Sequence, residues 1–485
     1  MMLLVALACL PLFGDDPPAQ AAPKAGQAAP ADLVSALETV IQDAIARAEP
    51  SVVAINRRKG ENPEETLAVR GRQRSRSGFR PPGLPSRFPF DTVVPDTISF
   101  DFGSGVVVGD EGQILTAFHV VRGAASLEVR AANRQVFNAE IIAADPRSDM
   151  AVIVPIVDAD SPPPKLRRIA LGDSTRLRKG SFLIALGNPF NAAQDGKPSA
   201  SWGILSNVAR RVEPDQDGTM IGPRHLSFTN YPTLLQLDAK LNLGMSGGAV
   251  INLKGELVGL TTTAASPAGF DAMAGYAMPM DRIGRRAVET LKQGKEIEYG
   301  LLGIYNPPQG LPSNRVEGIS PNSPADQAHL VVNDEIIGVD DAVVYDWDTL
   351  ILAINSHAPG EAIRLKIRRG GEEMVKTIVL VKYPVDPETI ATNRPTPWRG
   401  LRVDYLSTVA AVRGGLPFEN HEGGVVVSEV VEDSEAARAG LKKFQVIRKV
   451  GKTPVSKPAE FSQAVAQLKG PVTLDTDQGP VTLPE

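Results

Sequence analysis

The spacing of apolar positions changes along the chain, and each change marks a part. MMLLVALACLPLFG at the N-terminus is an apolar run, similar in length to a signal-peptide core and too short to span a bilayer. With Ala19-Gln20-Ala21 as a small-residue cleavage site, residues 1–21 read as a signal peptide, although no Lys or Arg precedes the run. Residues 22–31, rich in Pro, Ala and Gln, read as a linker. Leu33, Leu37, Val40, Ile41, Ala44 and Ile45 then recur at helical spacing between a capping Asp32 and Pro50. Residues 57–98 lose the pattern, and their arginines interspersed with Pro, Gly and Ser predict a solvated loop. From Ser99 to about Pro279 short β-type runs follow one another, among them GVVVGD, GQILTA, FNAEIIAAD, MAVIVPI, SFLIALG and GELVGLTTT. Many short strands separated by turn residues predict a sandwich or barrel. A helix over Asp281–Leu291 closes this region.

Two C-terminal segments, from about Tyr299 to Lys382 and from about Trp398 to the end, repeat one plan. Each has a Gly-containing start (YGLLGIY, WRGLRV), a strand, a Ser-initiated short helix, a second strand and a longer helix. This is an internal duplication of an α+β module. The predicted organisation is a mainly β domain over 32–295, one module over 298–384, a linker over 385–395 and a second module over 396–485.

Composition narrows the classes. The chain has 485 residues, 42% hydrophobic and 22% charged, with a net charge of −5; this is ordinary for a globular protein of several domains. A dominant basic face is not expected, so no nucleic-acid partner is predicted. Cys9 is the single cysteine and lies inside the leader, where it is either removed or lipidated. A mature chain without thiol has no disulfide scaffold, thiolate metal site or Cys nucleophile. The sequence also has no phosphate-cradling loop ending in Lys-Ser/Thr and no metal-ligand cluster, so no cofactor or metal is expected.

Three motifs in the β-rich part carry chemistry: ILTAFHVV with His119, DPRSDMAVIV with Asp149, and DAKLNLGMSGGAVI with Ser246. A Ser hydroxyl needs a base within hydrogen-bond reach to act as a nucleophile, and imidazole suits that task at neutral pH. The imidazole in turn needs a carboxylate on its other nitrogen. Gly244 allows a turn in which its own N–H and that of Ser246 face one space, as stabilisation of an oxyanion requires. Each motif alone is weak, since Asp145 competes with Asp149 and a Gly-flanked Ser is often only a turn. Their order and common placement beside strands make the combination specific.

GSGVVV, ILTAFHVV, DPRSDMAV, LGDSTRLRKGSFLIALGNPF, GILSNV, LNLGMSGGAV and GYAMPM together resemble the HtrA/Deg family of trypsin-like serine proteases. The resemblance runs from about Ala31 to the C-terminus, outside the Arg-rich loop. It implies a double β-barrel with His119 as general base, Asp149 as its orienting carboxylate and Ser246 as nucleophile. It also implies an oxyanion hole at Gly244, Met245 and Ser246, ATP-independent cleavage of unfolded or misfolded envelope proteins, and a homotrimer or a multiple of it in the periplasm or outside the cell. Met245, Leu243 and Lys240 depart from the family pattern, which leaves a dormant protease acting as chaperone or scaffold as the alternative reading. The duplicated modules resemble PDZ domains, which bind peptides with free C-termini. The carboxylate-holding loops would be Leu301-Leu302-Gly303-Ile304 and Trp398-Arg399-Gly400-Leu401.

Overall fold

The computed structural model describes residues 30–59, 102–157, 162–191, 195–210, 233–265, 274–305, 313–385, 388–409 and 423–484. The leader, Cys9, the 22–29 part of the first linker and residues 60–101, which include most of the Arg-rich loop, lie outside them.

The predicted N-terminal helix spans Pro30–Ala48, so Asp32 lies in its first turn rather than capping it, and Pro30 and Ala31, read as linker, belong to the helix. Leu33, Leu37 and Val40 of its stripe are exposed, whereas Ala44 and Ala48 are buried. Six strands follow: β1 (Val52–Lys59), β2 (Phe102–Val107), β3 (Ile114–Ala117), β4 (Ala124–Ala131), β5 (Val136–Asp145) and β6 (Met150–Pro155). They run β5-β4-β1-β2-β3-β6, and pairing of β5 with β6 closes the ring. Ile55, Val107, Ile114, Val129 and Ile153 fill the interior. Arg57 and Arg58, read from composition as loop, belong to β1, and Arg57 is buried. A second closed barrel, in the order β10-β11-β12-β9-β8-β7, is built from β7 (Phe182–Gly187), β8 (Ser199–Arg210), β9 (Leu234–Leu237), β10 (Ala249–Ile251), β11 (Leu257–Ala265) and β12 (Ala274–Pro279). Leu183, Leu205, Leu235, Leu237, Val250 and Val258 form its core. The closing helix is Arg282–Leu291; Asp281 is its N-cap and accepts from the amides of Ile283 and Gly284 at 2.9 Å. The chain is thus mainly β, a double barrel followed by two smaller modules.

The first module holds β13 (Gly300–Leu301), β14 (Glu335–Val339), β15 (Ala342–Val343), β16 (Ala362–Arg369), β17 (Glu372–Val379) and β18 (Val381–Lys382). In β16 Ile363, Leu365 and Ile367 face the core and alternate with exposed Arg364 and Lys366, the period-2 pattern of a half-buried strand. Helices Pro324–Gln327 and Trp347–Asn355 start at Ser323 and Asp346, whose side chains accept from backbone amides.

The connection between the modules is more than a spacer. Ile390–Ala391 forms β19, antiparallel to Ala143–Ala144 of β5. The β4 partners of β5 end at Ala139, so this stretch of β5 would otherwise present an unpaired edge. Thr392 N–H extends the pairing to Ile142 O at 3.0 Å, and Glu388 meets Arg122 at 2.8 Å.

The second module comprises β20 (Leu401–Tyr405), β21 (Val425–Val430), β22 (Val446–Val450), β23 (Thr453–Pro454), β24 (Val472–Thr476) and β25 (Gly479–Leu483), with helices Glu435–Arg438 and Pro458–Val465. Phe444-Gln445 preserves the backbone of the first module at the corresponding turn. Asn333 and Phe444 have φ of +73° and +74°. Asp334 Oδ2 accepts from Val331 N–H at 2.9 Å, and Gln445 Oε1 accepts from Lys442 N–H at 2.8 Å.

Candidate active site

His119 lies on a single helical turn, Phe118–Val121, that follows β3 directly. Asp149 lies at the end of the turn joining β5 to β6, with φ +53°, a conformation that Asp tolerates better than most residues. The two segments are stitched together. Phe118 N–H donates to Asp149 O at 2.9 Å, and His119 N–H donates to Asp149 Oδ1 at 3.1 Å. The ring nitrogen Nδ1 of His119 is 3.0 Å from Oδ1 and 2.9 Å from Oδ2 of the same carboxylate. Behind the helical turn, buried Arg57 donates to Arg122 O at 2.8 Å.

The competitor Asp145 is engaged elsewhere. It accepts from Ser148 N–H at 3.0 Å within its own turn and from Tyr299 OH at 2.6 Å. Burial pushes the Asp145 carboxyl above the usual carboxylate range. Asp149 differs: burial pushes it upward too, but the His119 charge and hydrogen bonds from His119 and Thr262 outweigh burial and hold it below the usual range. For His119, burial opposes the imidazolium, yet the Asp149 carboxylate more than compensates and its pKa is raised above 6.5.

Ser246 stands in a turn between β9 and β10. Its flanking glycines are required by space as well as by conformation. Gly244 has φ +92° and Gly247 has φ +80°. A Cβ on Gly244 would lie 2.4 Å from Asn188 O, and one on Gly247 would lie 2.3 Å from Ser104 O. Among the described residues the amides of Gly244 and Ser246 make no hydrogen bond, so both are available as donors. The Met245 side chain is buried against Ala185 and Leu241. Lys240 and Leu243 are exposed.

The Ser246 hydroxyl donates to Thr262 O at 2.7 Å; among the described residues it makes no hydrogen bond to His119. Thr262, only 3% exposed, donates from Oγ1 to Asp149 Oδ2 at 2.7 Å. One residue of β11 thus joins the serine to the carboxylate, and sequence reasoning missed it. In TTT of β11 nothing separates this threonine from its neighbours.

The two glycine loops of the C-terminal modules match each other. Gly303 and Gly400 have φ of +84° and +82°. Leu302 O accepts from Ala325 N–H and Arg399 O from Ala436 N–H; Gly303 O accepts from Ser320 N–H and Gly400 O from Val431 N–H. Leu301 ends β13, and Ile304 bridges to Ile319. Trp398 and Leu401 bond each other at 2.9 and 2.8 Å, and the Trp398 ring stands edge-on to Phe461. Residues 306–312, which follow the first loop, lie outside the described ones.

Comparison with known proteins finds two family matches, one in the barrels and one in the first module. The trypsin-like peptidase domain family matches residues 103–260, and the PDZ domain family matches residues 300–379. The chain is 27% identical over 389 residues to the periplasmic serine endoprotease DegP of Salmonella typhimurium, covering 78% of this chain and 74% of that protein. It is 28% identical over 413 residues to the periplasmic pH-dependent serine endoprotease DegQ of Escherichia coli, covering 82% and 83%. Among solved structures, an HtrA-type protease, AlgW with a decapeptide, aligns at 23% identity with a TM-score of 0.48, over 71% of this chain and 99% of that one.

Proposed function

We propose that this serine endopeptidase of HtrA type cuts unfolded exported proteins through Ser246, His119 and Asp149. The observation that carries the assignment is the Nδ1–carboxylate pair of His119 and Asp149, at 2.9 Å, tied through Thr262 to the serine in the glycine turn. Asp149 fixes the imidazole with its proton on Nδ1, leaving Nε2 as the base. The hydroxyl of Ser246 exchanges the Thr262 carbonyl for that nitrogen and attacks the scissile carbonyl carbon as its proton passes to His119. The amides of Gly244 and Ser246 receive the oxyanion. His119 then gives the proton to the leaving amine, the acyl-enzyme forms, and water repeats the sequence to release the acid. None of these steps uses ATP.

The second C-terminal module, with its matching glycine loop, is read as a second PDZ domain, and both loops as holders of free C-terminal carboxylates. We take the protease to span 32–295 and the modules 298–384 and 396–485, in an exported homotrimer or a multiple of it.

The test is active-site labelling. A fluorophosphonate is expected to modify Ser246, located by peptide mapping, in the presence of an unfolded protein. Labelling at another residue, or none, counts against the assignment. The raised His119 pKa gives a pH signature. Protonated imidazole cannot accept the Ser246 proton, so kcat/KM is expected to fall as pH drops through a value above 6.5. Asp149→Asn removes the charge that raises it, and the acid limb is expected to move to lower pH. A limb that stays in place in the variant would contradict this account.

A further inference from the structure

Ser104 belongs to β2 of the first barrel, yet most of its hydrogen bonds go to the second barrel. It is fully buried. Its N–H donates to Ser246 O at 2.8 Å and its hydroxyl donates to Gly244 O at 2.7 Å. The same hydroxyl accepts from Asn188 N–H at 2.8 Å, and Ser104 O accepts from Thr116 Oγ1 at 2.7 Å. One residue therefore grips the two amino acids whose amides are free, on either side of Met245.

We propose that Ser104 is a positioning residue that aims the oxyanion donors, a role that rests on the reaction assigned to Ser246. Gly244 has no side chain to fix its peptide planes, and its φ of +92° is one that glycine leaves easily. The restraint must come from outside. The carbonyl of Gly244 has one described hydrogen-bond donor, the Ser104 hydroxyl, which Asn188 N–H holds in turn. Thr116, two residues before Phe118 and three before His119, braces the backbone of Ser104 from behind. The chain of contacts thus joins the strand that leads to the base with the loop that carries the nucleophile. Removing the hydroxyl leaves the Gly244 carbonyl and the Asn188 amide without this partner, and among the described residues the Gly244–Met245 peptide is then held only by Met245 N–H to Asn242 O at 3.1 Å.

Because an oxyanion forms only in the transition state, loss of aim should appear in kcat and leave KM nearly unchanged. The experiment compares full-length wild type, Ser104→Ala and Ser104→Cys. Rates are normalised to sites titrated with a fluorophosphonate, and the affinity of a peptide aldehyde, which forms a tetrahedral adduct, is measured beside them. For Ser104→Ala we expect kcat per titrated site to fall by about 10- to 100-fold, somewhat less than the loss of a whole oxyanion donor. Aldehyde affinity should fall by the same factor, KM should stay within about twofold, and the melting midpoint should change little. Ser104→Cys, which keeps a weak donor in place, should recover part of the loss. An unchanged kcat per titrated site overturns the proposal, as does a loss confined to KM with aldehyde affinity intact. If Ser104→Ala does not fold, the Cys variant is read by the same two measures. Failure of the wild type to label would instead strike at the Ser246 assignment itself.

Discussion

Replacing Ser246 with alanine is expected to reduce peptide-bond hydrolysis by about a million-fold in kcat, and Asp149→Asn by about ten-thousand-fold. The sizes differ for a physical reason. Without the hydroxyl there is no acyl-enzyme, and only the free amides of Gly244 and Ser246 and substrate binding can still favour the reaction. Asparagine in place of Asp149 keeps the shape and can still accept from Thr262. Its amide nitrogen, however, can turn toward Nδ1 and favour the tautomer that has its proton on Nε2, where the base should be. The double variant should be no slower than Ser246→Ala alone, because the residues act as a unit. Folding should survive loss of the Ser246 hydroxyl, whose one hydrogen bond among the described residues goes to Thr262 O. The measurement is hydrolysis of an unfolded protein and of a chromogenic peptide by highly purified variants. Retention of wild-type rates in Ser246→Ala would remove the hydrolase reading for this site.

The proposed triad could be read from its three motifs taken together, each of them weak alone. Gly244 and Gly247 surround a serine where only glycine fits, and His119 closes an apolar strand. Asp149 was harder. DPRSD contains two aspartates, and the sequence does not tell which of them caps the turn and which faces the imidazole. The coordinates separate them by partner, Ser148 and Tyr299 for Asp145, His119 and Thr262 for Asp149. Thr262 and Ser104 were invisible for a different reason. Their roles come from packing two barrels against each other, and a buried hydroxyl in a strand has no local signature. The same holds for β19. Two residues in a Pro-flanked connection carry no strand pattern, and their pairing is decided by the vacant edge of β5. Phe444 shows the opposite case. Phe444-Gln445 departs from the pair usual at this turn of a PDZ-like module, which leaves its geometry open in the sequence, and the backbone adopts φ +74° despite a side chain that disfavours it.

Lys382→Met is expected to destabilise the chain by about 3 kcal/mol at neutral pH. The Lys382 side chain is 3% exposed, and its ammonium contacts Glu296 at 2.9 Å, Glu298 at 3.1 Å and Asp404 at 2.9 Å. Burial alone would drive the ammonium toward its neutral form, but Asp404, Glu296 and Glu298 together outweigh burial and raise its pKa. The three acids come from two places: the connection after the Arg282–Leu291 helix supplies Glu296 and Glu298, and β20 of the second module supplies Asp404. Methionine preserves the aliphatic stem but leaves three carboxylates facing one another. Since all three retain some access to water, the loss should sit at the lower end for a broken buried ion pair. The sign of the pH dependence follows. In the variant, mutual repulsion raises the carboxyl pKa values in the folded state, so the penalty is full at neutral pH and shrinks as pH falls through the carboxylate range. Burial already lifts the Glu296 carboxyl in the wild type. Denaturant unfolding at neutral and mildly acidic pH measures both effects, and equal midpoints for wild type and Lys382→Met at neutral pH would refute the argument. The same change should loosen the path from Lys382 to β19, because Tyr383 follows directly and stacks under Arg147 at 3.7 Å. Arg147 belongs to the turn that carries Asp149. A protease added in limiting amount should therefore cut the 385–395 connection faster in the variant, linking a buried cation between modules to the segment that braces the catalytic barrel.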